Sequence, residues 1–151
     1  EPGDAIPAVT LMDMEGVEFA LDHYSGKPLV VYFYPKADTP GCTNEAKDFT
    51  ALADEYAAAG VPVIGISRDK PAKLKKFSEK YGLSVILASD EPGDACAAFG
   101  TWVEKSLYGR TYMGIERATF LFGAQGKVQR IWRKVKVKGH AAEVLEAARA
   151  L

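Results

Sequence analysis

Hydrophobic and polar positions change period several times along the chain, and each change marks an element. Residues 8–20, AVTLMDMEGVEFA, alternate on either side of Glu15-Gly16, which predicts a hairpin. Residues 29–34, LVVYFY, are continuously apolar and rich in β-formers, and Pro35 ends them. Such a run predicts a central strand buried on both faces of a mostly parallel sheet. From Pro40 to about Ala59 the period becomes helical. Ala46, Phe49, Ala53 and Tyr56 recur at spacings of three and four, and Cys42 falls four residues before Ala46 on the same stripe. Thr39 is placed to cap this helix, Pro40 suits its first position, and Gly60 ends it.

Residues 61–67, VPVIGIS, predict a second buried strand. Residues 70–81 predict a basic amphipathic helix with Leu74, Phe77 and Tyr81 inward, followed by a short strand over 85–88 and a short helix over 92–99. The aromatic-rich stretch 100–116 shows no clean period and reads as irregular. Residues 118–123 and 127–137 flank the turn Ala124-Gln125-Gly126 as a hairpin, and 140–151 form a last helix with Val144, Leu145 and Ala148 inward. Strand–helix alternation closed by a hairpin and a helix predicts an α/β fold. It is a three-layer α/β/α sandwich of the thioredoxin-like kind, with a central mixed sheet and an N-terminal β-hairpin.

Length and composition narrow the picture. The 151 residues, 48% hydrophobic, suit one domain over 1–151 with a substantial core. Charges nearly cancel at −1, so nothing in the whole molecule points to nucleic acid or an acidic membrane. No apolar run approaches the roughly 18 residues of a membrane span, and EPGDAIPAVT lacks the basic start and apolar centre of a signal peptide. Two cysteines are no disulfide scaffold, which fits a reducing compartment, most simply the cytoplasm. His23 and His140 have no further ligand at metal spacing, so no metal or cofactor is expected. Residues 127–138 hold six basic side chains and no acid. Lys134, Lys136 and Lys138 alternate with Val135 and Val137, which reads as a solvated edge that discourages strand-to-strand aggregation rather than a nucleic-acid strip.

Cys42 carries the chemistry worth testing. A free thiol titrates near ~8.5, leaving a few per cent of nucleophilic thiolate at neutral pH. Cys42 sits about three residues into its helix, among unpaired amides and the positive dipole end. A helix end supplies about 1–2 kcal/mol to an anion at best, so a strong thiolate preference needs a cation as well. Arg117 opens the apolar strand 118–122, where burying a guanidinium is costly unless it meets an anion. If that strand runs antiparallel to 29–34, Arg117 starts at the edge where Cys42 lies. From position alone, a small buried hydrophobe is an equal reading of Cys42, and a surface charge at a strand end is one of Arg117.

These residues resemble a known family. FYPKADTPGCTNE is similar to the active-site signature of the peroxiredoxins, in particular the bacterioferritin comigratory protein or peroxiredoxin Q branch. The family pattern Pro-x-x-x-Thr/Ser-x-x-Cys falls on Pro35, Thr39 and Cys42, and the branch's Thr-x-Glu on Thr43 and Glu45. YMGIERATFLF resembles the segment carrying the family's arginine, here Arg117. GDAIPAVTLMDMEG and RKVKVKGHAAEVL extend the likeness over almost the whole chain. The resemblance implies reduction of hydrogen peroxide or alkyl hydroperoxides through a Cys42 sulfenic acid. Arg117 and Thr39 would hold sulfur and peroxide, Pro35 would shape the pocket wall and keep water out, and Gly41 and Glu45 would line the pocket.

The chain departs from the branch at the resolving cysteine. Many relatives carry one five residues after the first, where this chain has Lys47, or in the next helix, where Phe77 and Ser78 stand. Two readings follow. In one, Cys96 is a packed core residue and the sulfenic acid is reduced by an outside thiol such as thioredoxin, glutaredoxin or glutathione. In the other, Cys96 resolves Cys42. A non-enzymatic, chaperone-like binding protein on the same fold is the alternative from another class, and a monomer or weak dimer is the expected state. Without a Cys-x-x-Cys pair, dithiol exchange of the thioredoxin type is excluded.

Overall fold

The computed structural model describes residues 2–24 and 26–151. Its centre is a seven-stranded mixed sheet in the order β2-β1-β5-β4-β3-β8-β9. β1 (Thr10–Met12) and β2 (Glu18–Ala20) form the N-terminal hairpin. β3 (Leu29–Phe33), β4 (Val63–Ser67) and β5 (Ile86–Ser89) are mutually parallel, joined by helical crossovers. β8 (Ala118–Phe122) runs antiparallel to β3 and pairs Ala118 with Phe33, and β9 (Val128–Trp132) closes the edge.

Alternate residues of β3 divide the molecule into two cores. Val30, Tyr32 and Tyr34 face α1 (Pro40–Ala51), α2 (Ala53–Ala58), α3 (Pro71–Tyr81) and α5 (His140–Arg149). Leu29, Val31 and Phe33 face the 3-10 turn Leu21–Tyr24 and α4 (Asp94–Ala98). Tyr32 stacks on Phe49 at 4.8 Å, and Gly65 makes room for it, since a Cβ there would lie 2.6 Å from the Tyr32 ring.

Three elements differ from the sequence expectation. The helix over 40–59 is broken at Leu52, whose amide bonds Phe49 O at 3.2 Å, an i→i−3 closure that tightens the last turn. α2 then restarts and aims Tyr56, whose hydroxyl donates to Ala141 O at 2.7 Å and fixes the start of α5. The stretch 100–116 is not irregular: β6 (Trp102–Leu107) and β7 (Arg110–Ile115) make a separate two-stranded ribbon. Its turn residues Tyr108 and Gly109 both have positive φ (52° and 78°), the twist a tight hairpin needs. The final strand stops at Trp132 rather than reaching 137. Lys134 adopts φ 48° and turns the chain out of the sheet, though Val135 N still bonds Arg117 O at 3.0 Å.

Candidate active site

The first turn of α1 opens where β3 ends, and β8 begins beside it. Thr39 has extended backbone (φ −101°, ψ 155°) and its carbonyl accepts the first helical bond, from Thr43 N at 2.8 Å. Its hydroxyl, however, makes no helix cap and donates to Lys36 O at 2.7 Å. The amides of Gly41 and Cys42 precede that first bond, at the positive end of the helix.

Cys42 is 1% exposed. Arg117, one residue before β8, reaches across the β3–β8 pair. Its Nη2 donates to Cys42 Sγ at 3.3 Å while its Nη1 donates to Glu45 Oε1 at 2.7 Å. One turn of α1 thus places Cys42 and Glu45 on a single planar guanidinium. Burial works against the charge on Arg117, but Glu45 and Cys42 outweigh it and the guanidinium stays firmly ionised. Burial pushes the Glu45 carboxyl up to about 7, against the pull of Arg117. Glu45 is therefore a buried brace for the arginine, 1% exposed like Cys42 itself. Gly41 lets the arginine close in: a Cβ there would stand 3.1 Å from Arg117 Nη2. Pro35 is exposed where the chain leaves β3, and the side chains buried in one cluster with Cys42 include Tyr34, Ala37 and Ala46.

The loop leading into α1 is fastened by groups that sequence reasoning did not find. Asp38 adopts φ 61°, a left-handed conformation that Asp tolerates better than most residues. It accepts from Tyr81 Oη at 2.6 Å and Lys80 Nζ at 3.0 Å, at the end of α3. The Tyr81 hydroxyl and then Lys80 hold its carboxyl below the usual range. Ala37 N bonds Asp69 Oδ2 at 2.7 Å, and Ser67 Oγ holds the same oxygen at 2.8 Å. Lys105 on β6 was also missed. Burial and then Arg117 lower its pKa, while Cys42 and Glu116 pull the other way. Its stem crosses Gly114, where no Cβ obstructs it.

Cys96 lies in a different environment. It is fully buried on α4, in the core on the opposite face of the sheet from Cys42. Burial and then its bond to Asp90 push the Cys96 thiol up to about 12. Asp90 also accepts from the amides of Ala95 and Cys96. Among the described residues no group of three or more His, Cys, Asp or Glu is placed to hold a metal, and no helix is long and apolar enough to cross a membrane.

A helix-start thiol gripped by a guanidinium, on a thioredoxin-like sheet, defines a centre for thiol redox chemistry. Comparison with known proteins supplies the family. The chain belongs to the AhpC/TSA family, whose model matches residues 2–131, and within it to the bacterioferritin comigratory protein (peroxiredoxin Q) branch of thiol-dependent peroxidases. It is 46% identical over 143 residues to peroxiredoxin Bcp of Escherichia coli K12, covering 95% of this chain and 92% of that one. A putative peroxiredoxin bcp of Coxiella burnetii is 44% identical over 145 residues, 96% of each chain. Among solved structures, the Xanthomonas campestris bacterioferritin comigratory protein superimposes with a TM-score of 0.90 at 44% identity, covering 97% of this chain and 98% of that one.

Proposed function

We propose that Cys42 is the peroxide-reducing thiol of a one-cysteine peroxidase that takes its electrons from an external thiol. The observation that carries this is the Arg117 Nη2 contact to Cys42 Sγ at 3.3 Å, with Cys96 buried beyond the sheet. A sulfur lone pair attacks the distal oxygen of R–O–O–H, the S–O bond forms as the O–O bond breaks, and the departing oxygen takes up the proton given up by the thiol and leaves as ROH or water. Charge passes from sulfur to that oxygen, and the fixed fork of Arg117, aided by the helix-start amides, can follow it without reorganising. The Thr39 hydroxyl, donating to Lys36 O, has lone pairs left to accept the peroxide O–H. Hydrogen peroxide and alkyl hydroperoxides share the atoms this scheme uses.

The sulfenic acid must then meet a thiol. A disulfide needs Cα atoms within about 7 Å, which the intervening sheet opposes for Cys96. An outside thiol condenses with the sulfenic acid, releasing water, and a second thiol frees Cys42 from the mixed disulfide. Thioredoxin, glutaredoxin and glutathione all supply that chemistry, and a reducing compartment such as the cytoplasm suits it. Cys42→Ser is expected to abolish peroxide consumption, whereas Cys96→Ser retains most of it. Both are read with purified protein, peroxide and each reductant offered singly. Loss of thioredoxin-driven turnover in Cys96→Ser would overturn the one-cysteine reading.

A further inference from the structure

We infer that the lysine-bearing strap after β9 is the docking lip for an acidic protein thiol that reduces Cys42. This rests on the external-reductant reading proposed above. The strap, residues 133–138, leaves the sheet at Lys134 but stays beside the arginine. Val135 N bonds the Arg117 carbonyl at 3.0 Å, and Lys134 N bonds Glu116 Oε2 at 3.0 Å. The same backbone that carries the guanidinium to Cys42 therefore anchors the strap.

Val135 and Val137 are half-buried while Lys134, Lys136 and Lys138 are exposed, so the three ammoniums project from a fixed backbone. Nearby acids are already engaged: Glu116 by Arg133 at 3.0 Å, and Glu143 by Arg130 at 3.4 Å and by the Trp132 indole at 2.6 Å. None of the three lysines makes an ion pair among the described residues. They edge a groove of about 370 Å³ lined with Trp132, Val135, His140 and Glu143. The chain as a whole is slightly acidic, so this concentration of uncompensated positive charge is local. Its anchorage to the backbone of Arg117, the residue that holds Cys42, selects the partner: a small thiol protein with acidic groups around its reactive cysteine. Opposite potentials steer such an encounter and fix its orientation.

The test compares a thioredoxin of net negative charge with uncharged dithiothreitol as electron donor. In the native protein, thioredoxin-driven kcat/KM falls about tenfold from low salt to roughly 0.3 M, while dithiothreitol-driven turnover barely changes. Lys136→Glu with Lys138→Glu costs about tenfold or more with thioredoxin. Dithiothreitol turnover and single-turnover oxidation by peroxide stay within about twofold, and the Gln pair shows an intermediate loss. Lys134 is left alone because its backbone is left-handed at φ 48°, where a substitution could disturb the strap itself. Unchanged thioredoxin turnover in the Glu pair, an equal loss with both donors, or a native protein served by dithiothreitol but not by thioredoxin would each overturn the docking lip. So would duplex DNA binding that the Glu pair abolishes while thioredoxin turnover is kept. Absence of single-turnover oxidation would bring down the peroxidase reading as well, and that arm distinguishes the two failures.

Discussion

At the scale of single residues, the site depends on how closely one guanidinium approaches one sulfur. Gly41 sets that approach. Its backbone is not left-handed, so alanine fits the helix there and should raise helical propensity. Yet the added methyl would meet Arg117 Nη2 at 3.1 Å and displace it by a few tenths of an ångström. Gly41→Ala is therefore expected to melt no lower than the native protein while oxidation of Cys42 by peroxide slows about tenfold. Stopped-flow oxidation beside a thermal melt separates the two effects, and an undiminished rate would show that the arginine yields without consequence. The meeting of Cys42 and Arg117 was legible because a thiol at a helix start and a charge at the head of an apolar strand are local patterns, whereas the cap expected of Thr39 did not form. The engagement of Glu45 was not, since one carboxylate in a helix says nothing of which face is buried until the arginine's strand is placed.

At the scale of elements, the buried strands and amphipathic helices were legible because their periods report which side is wet. The β6–β7 ribbon was not. Most of its residues are exposed or half-buried on both faces, so no alternation survives, and its turn is Tyr-Gly rather than the more recognisable Asn-Gly. The break at Leu52 was hidden for another reason, since the buried stripe continues through it in sequence. The bond between the end of α3 and the loop before α1 is likewise invisible in sequence, joining residues 43 apart. Tyr81 and Lys80 hold Asp38 in its left-handed turn, two residues before the first residue of α1. Tyr81→Phe should loosen that turn, giving faster amide exchange over residues 36–42 and a several-fold slower reaction with peroxide. Exchange unchanged there would assign the hydroxyl no positioning role.

At the scale of the whole molecule, the sheet assigns the two thiols to separate cores. Only one of them contacts a cation, while the other is bound to a carboxylate and held far from ionisation at neutral pH. Excess peroxide without a donor should therefore add two oxygens, about 32 Da, to Cys42 and leave Cys96 unmodified. Peptide mass spectrometry after a peroxide titration reads both sites at once, and equal oxidation would show that the cores are not isolated. This division was only half legible: two cysteines were evident, but which side of β3 each occupies depends on the crossovers.

A sheet between the thiols also sets the kinetic order of recovery. An enzyme that closes its own disulfide leaves the sulfenic acid at a rate independent of its surroundings, whereas with the external thiol proposed above each escape would wait on a collision. The steady-state share of oxidised protein then follows the quotient of peroxide arrival and donor arrival. The molecule would report the balance of those two fluxes as well as consume one of them.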